Sequence, residues 1–178
     1  ELADARAHGG LFEARLDGGF VLSAVVGPLA SGSVSMVARR ARQDGSRLAD
    51  LASQGVMSQS MADFLEHAVR LRRNVLVAGL GGSGRSTLMG ALARASEGQR
   101  VVFVEEAAEL DAGDQPWISL AGAGGDARRA FATTLRMKPE RLVVGDVRDG
   151  EALDVIGALS GGLDGAVVGA TASSARDA

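Results

Sequence analysis

The run Gly79-Leu80-Gly81-Gly82-Ser83-Gly84-Arg85-Ser86-Thr87 holds the residues with the clearest chemistry in this chain. Its pattern, G-x-x-x-x-G-R-S, differs at one residue from the phosphate-binding loop G-x-x-x-x-G-K-[ST]. Glycines at that spacing let the backbone curl so that successive N–H groups and a helix N-terminus face an anion. Gly79, Gly81, Gly82, Ser83, Gly84, Arg85, Ser86 and Thr87 are therefore the candidate nucleotide-binding residues, with the Ser86 hydroxyl placed for Mg2+. The chain has 25 glycines in 178 residues, so the pattern arises by chance ~4% of the time, and less often when a strand must precede it and a helix follow. Arg85 is the departure. Lysine there is a compact point charge, whereas arginine is longer, planar and forked, and is no conservative replacement in a fitted pocket. Only one of the 19 basic residues, Lys138, is lysine, so an arginine-biased composition explains the change without restoring the geometry.

The surrounding elements must hold that loop in place. From Asn74 onward, short valine-rich runs (75–78, 101–104, 142–144 and 166–168) alternate with helical stretches at about 85–96, 126–137 and 150–160. Buried parallel strands read as continuous apolar runs, and crossover helices cover their faces. The expectation is an α/β domain with a mostly parallel sheet. Upstream, LFEARL (11–16) and FVLSAVV (20–26), joined by Asp17-Gly18-Gly19, read as a β-hairpin, and 33–38 as a third strand. Residues 39–45 (RRARQDG) read as a linker, followed by a short helix over 47–53 capped by Ser46. Ser58 precedes a stronger helix whose apolar stripe is Met61, Phe64, Leu65, Ala68, Val69 and Leu71. Arg70, Arg72 and Arg73 suit that helix's C-terminal dipole. The expected organisation is 1–38 as part of a small β-rich domain entered midway, 39–57 as linker and short helix, and 58–178 as the nucleotide-binding domain.

Composition excludes several alternatives. There is no cysteine, so disulfides, zinc-thiolate sites and thiol nucleophiles are out, and His8 and His67 are far apart. The net charge of −3 gives no bulk positive field, and Trp117 with five phenylalanines is too few for a base-stacking surface, so a nucleic-acid partner is not expected. No apolar run approaches eighteen residues, which predicts no direct membrane insertion and a cytoplasmic setting. Trp117 reads as a packing anchor or interface residue, His67 as solvated, and Asp111 and Asp114 as turn residues.

Six segments, in order, resemble the secretion and pilus-assembly ATPase family of type II and type IV systems, most closely its tight-adherence pilus branch. They are FEARLDGGFVLSAVVGPLA, LADLASQGVMSQSMADFLEHAV, NVLVAGLGGSGRSTL, VVFVEEAAEL, TLRMKPERLVVGDVRDGEALDVIGAL and DGAVVGATASSARDA. The resemblance implies a RecA-like P-loop domain behind a smaller N-terminal domain. It also implies ATP and Mg2+ as ligands, and a hexameric ring of like or mixed subunits. Such rings work at the cytoplasmic face of the inner membrane through a platform protein. The family's acidic box falls on Glu105-Glu106, which makes Glu105 the catalytic carboxylate. The Walker-B acid falls on Asp146, with a catalytic and metal-binding role, in a string that keeps Arg148. Other positions depart from the family. Asp146 stands where glutamate is usual, Thr171 and Leu163 where histidines are usual, and ISLAGAGG (118–125) where the family carries arginines near the phosphates. Those arginines stabilise charge on the transferred phosphoryl group. The resemblance therefore implies nucleotide binding with weakened hydrolysis; the alternative is a catalytically inactive paralogue with a structural or regulatory role in the same machine.

Overall fold

In the computed structural model, residues 2–8, 11–16, 20–25, 34–40, 45–105, 117–121, 127–147 and 150–178 are described. The chain divides into two units, residues 1–43 and 44–178. The first carries an antiparallel sheet in which β1 (Leu2–His8), β2 (Leu11–Leu16), β3 (Phe20–Val25) and β4 (Ser35–Arg40) lie side by side in chain order. The β2–β3 pairing runs from Leu11 opposite Val25 to Leu16 opposite Phe20, the expected hairpin; its turn at 17–19 lies outside the described residues. Two corrections apply. Strand β1 was not expected, because LADARAH is rich in alanine, whose β propensity is poor. Strand β4 runs through Arg39 and Arg40, taking the start of the expected linker into the sheet.

The second unit begins with α1 (Leu48–Ser53) and α2 (Gln59–Arg70), which pack against one another. The N-cap of α1 is Arg47, not Ser46: the Asp50 carboxylate reaches back to accept the Arg47 backbone N–H at 2.7 Å. Ser58 does cap α2, its Oγ accepting the Met61 N–H at 3.2 Å. The buried stripe of α2 keeps Leu65 and Val69 as expected but departs from expectation elsewhere. Ala62, Leu65 and Val69 face the core, while Met61, Phe64 and Leu71 are 56%, 72% and 66% exposed. Met61 and Phe64 each precede a core-facing residue by one position, and Leu71 lies past the end of the helix as its C-cap.

There follow β5 (Val75–Gly79), α3 (Arg85–Arg94), β6 (Val101–Glu105), β7 (Ile118–Ala121), α4 (Ala127–Arg136), β8 (Arg141–Val144), α5 (Gly150–Ser160) and β9 (Val167–Thr171). The five strands form one parallel sheet in the order β5-β9-β8-β6-β7. Its pleat sorts the valines into two cores. Val77, Phe103, Val143 and Val167 pack with Leu48, Leu51, Val69, Met89 and Leu92 on one face. Val104, Leu142, Val144 and Val168 pack with Phe131 and Val155 on the other. Strand β7, unforeseen, is only four residues long; beside it Trp117 packs its ring 4.7 Å from Phe103 beneath Arg94, as the packing-anchor reading requires. The position of Asp111 and Asp114 lies outside the described residues.

Arg141, at the start of β8, is fully buried and went unnoticed in the sequence. It donates through Nη1 to the Gly165 carbonyl at 2.6 Å and through Nη2 to the Val69 carbonyl at 2.8 Å. Nε reaches Gln99 Oε1 at 3.2 Å. Burial, and then the charge of Arg72, pull its pKa down to about 10, so it remains a cation at neutral pH. It thereby ties the last turn of α2 to the loop entering β9.

Candidate functional site

Parallel sheets bind ligands at the carboxyl ends of their strands, and here four of those ends converge. Main-chain bonds continue the sheet beyond its strands. Ala172 N donates to Gly79 O at 3.3 Å, Val147 N to Gly169 O at 2.9 Å and Gly145 N to Val104 O at 2.8 Å. Gly79, Thr171, Asp146 and Glu105 consequently stand along one edge.

Between β5 and α3 the loop turns tightly, with Ser83 N donating to Leu80 O at 3.1 Å. Gly82 (φ 78°) and Gly84 (φ 91°) occupy the left-handed region that only glycine enters cheaply. A side chain at Gly79 would meet Ser83 Oγ at 2.5 Å. Gly84 is the N-cap of α3 and offers no side-chain acceptor, so the first-turn N–H groups are presented outward with the positive helix end behind them. Ser86 is exposed at this end and Thr87 half-buried. The backbone therefore fits the phosphate chain of a nucleotide.

Arg85 and Asp146 are brought together. Arg85 Nη1 donates to Asp146 Oδ1 at 2.7 Å, and the two side chains are only 17% and 16% exposed. Thr171 Oγ1 lies 3.1 Å from Asp146 Oδ1 and 3.3 Å from Oδ2. Both carboxylate oxygens thus already face donors. The expected metal role of Asp146 meets an obstacle here, since a cation at that carboxylate would have to displace the Arg85 guanidinium already bonded to it. Ser86 alone does not make up a Mg2+ donor set.

Glu105 ends β6 and is 5% exposed, lying against Gly145, where a Cβ would come 3.4 Å from Glu105 Cγ. Gly145 and Gly169 form the floor of the site. A Cβ on Gly169 would run into the Gly145 carbonyl oxygen and meet Met89 Sδ at 2.9 Å. Neither glycine was foreseen, although each stands in a valine-rich strand-end string, VVGDV and VVGAT. Leu163, at the other expected histidine position, packs against the second core and takes no part in this edge. Glu106, Arg148 and residues 122–125 lie outside the described residues. Among those described, no helix is long and apolar enough to cross a membrane.

A parallel sheet carrying a glycine loop into a helix, with acidic residues ending its neighbouring strands, defines a RecA-like P-loop domain. The chain belongs to the type II/IV secretion system protein family, whose model matches residues 12–178. The conjugal transfer protein TrbB of Rhizobium radiobacter is 32% identical over 158 residues, spanning 84% of this chain and 48% of that protein. The type IV secretion system protein VirB11 of Brucella suis biovar 1 is 37% identical over 122 residues, covering 62% and 34%. Among solved structures, the Brucella suis VirB11 ATPase in complex with sulphate matches with a TM-score of 0.62 and 29% identity over 94% of this chain and 57% of that one. The pilus retraction motor PilT matches at TM-score 0.66 and 19% identity, covering 92% and 47%, and so shares the fold. The chain spans about half the length of the curated relatives it matches.

Proposed function

We propose that this chain is the nucleotide-binding subunit of a secretion or type IV pilus machine of the tight-adherence kind, and that its ATP hydrolysis is weakened. In this reading the amides from Gly81 to Thr87 and the N-terminus of α3 hold the phosphates, and Glu105 orients the attacking water. The chain works in a hexameric ring of like or mixed subunits, at the cytoplasmic face of the inner membrane beside a platform protein. Relatives named for conjugal transfer and type IV secretion, and a related ATPase solved with sulphate, support the assignment to such machines.

One observation carries the weakened hydrolysis: the Arg85–Asp146 pair at 2.7 Å with Thr171 alongside. The loop's single cation is engaged by an acid within the site. Charge developing on a transferred phosphoryl group needs such cations close to it. The same pair favours the second reading, an inactive subunit that occupies ring positions or regulates a partner.

A single-turnover assay with labelled ATP and Mg2+, following both retention and cleavage, tests this. The expected outcome is that ATP is retained and cleaved slowly, and that Arg85→Lys alone fails to restore rate because Asp146 and Thr171 still depart from the family pattern. Retention with no cleavage at all selects the inactive subunit. Turnover at ~1 s⁻¹ or faster, the low end of ordinary enzymes, overturns weakened hydrolysis.

A further inference from the structure

We infer that Arg85 takes the place of a divalent cation at Asp146, so that this site accepts a nucleoside polyphosphate in its metal-free form. The inference rests on the nucleotide reading above and concerns the chemical form of the ligand. Three observations carry it. The Arg85–Asp146 pair is short and largely shielded from water, at 2.7 Å with side chains 17% and 16% exposed. Thr171 Oγ1 is within hydrogen-bonding distance of both carboxylate oxygens, so the acid is held from two sides. The stem of Arg85 lies along the start of the loop, its Cγ 3.4 Å from where a Cβ on Gly79 would sit. The side chain thus passes beside the first glycine of the loop before its guanidinium reaches Asp146.

A guanidinium carries five N–H donors in a rigid fork. One is used at Asp146 Oδ1, and others remain for phosphate oxygens. Arginine can therefore bridge the acid and a phosphate chain at once, which the compact ammonium of lysine does poorly. Mg2+ requires near-octahedral oxygen ligands and dehydrates reluctantly. At Asp146 it would have to strip away one or both existing donors and then sit beside a fixed positive charge. Among the described residues no group of three or more histidine, aspartate or glutamate side chains gathers to compensate.

The test is equilibrium titration of a fluorescent ATP analogue into the chain, once in excess EDTA and once in excess Mg2+. The affinities are expected to agree to within about fivefold, which is about 1 kcal/mol. Arg85→Lys, checked for an intact thermal transition, should gain a metal dependence beyond fivefold. Should that variant not fold, Asp146→Asn serves instead: with the carboxylate neutralised, Arg85 is left wholly to the phosphates and metal-free affinity should rise. Binding by the native chain that weakens fivefold or more in EDTA overturns this inference and leaves the nucleotide reading standing. No binding under either condition overturns both.

Discussion

Gly84 is the position where the phosphate loop is least able to accept a side chain for conformational reasons alone. Its φ of 91° is foreign to L residues, and nothing lies within 4 Å of where its Cβ would be. Gly84→Ala therefore meets strain and no clash. The strain costs about 1 kcal/mol in the native backbone, or a fall in Tm of about 2–4 °C for a domain of this size. If the loop relieves it by turning its amides, nucleotide affinity falls at least tenfold, which parallel titration and thermal unfolding would show; unchanged affinity with an unlowered Tm, the sign that the strain has been relieved, would mean the loop does not grip phosphate through its backbone. Glu105 allows a complementary experiment. Glu105→Gln keeps the shape of a buried side chain at the end of β6 and removes its ability to take a proton. Whatever cleavage the native chain shows should drop about 100-fold while affinity holds, the usual size of a lost general base.

Arg141 and Gly169 govern how the elements meet. Arg141 is the only charged link between the end of α2, the loop before β9 and the start of β8 that the described residues reveal with full burial. Arg141→Met fills the volume and leaves the Val69 and Gly165 carbonyls without their donor, at a cost of about 2–5 kcal/mol read from denaturant unfolding. Arg141→Lys should recover part of that, because an ammonium serves one carbonyl well but not the fork of two. Gly169→Ala drives a methyl into the Gly145 carbonyl and Met89, so β9 must separate from the neighbouring strand end, costing about 3 kcal/mol or more. What the sequence disclosed follows from the same physics. The valine runs announced all but one of the parallel strands, because burial on both faces leaves a continuous apolar signature. The loop glycines announced themselves through spacing. Strand β7 and strand β1 lacked that signature, one short and one alanine-rich. Long-range partners were illegible: nothing in the chain near Arg141 or Thr171 states that a carbonyl 72 residues away, or an acid 25 residues away, will accept their hydrogens.

Among the residues whose burial is described, apolar packing can be followed mainly in the larger unit. Both core clusters are built from residues 48–168, all within the unit that spans 44–178. In the first unit Ala24 is buried, while Met36 and Val37 of β4 are each 65% exposed. Chains near forty residues rarely fold without a metal, a disulfide or a partner, and this chain has no cysteine to supply the second. The fragment 44–178 should therefore unfold in one cooperative thermal transition and bind the ATP analogue within about twofold of the whole chain, since every described site residue, from Gly79 to Thr171, lies inside it. The fragment 1–43 should show no cooperative transition by circular dichroism. Loss of the transition in 44–178 would mean that the larger core is completed by the first forty-three residues. A cooperative melt of 1–43 would mean that its four strands form a core of their own. Retained folding with lost binding would place part of the phosphate grip in the smaller unit and remove the basis for reading the site from the parallel sheet alone.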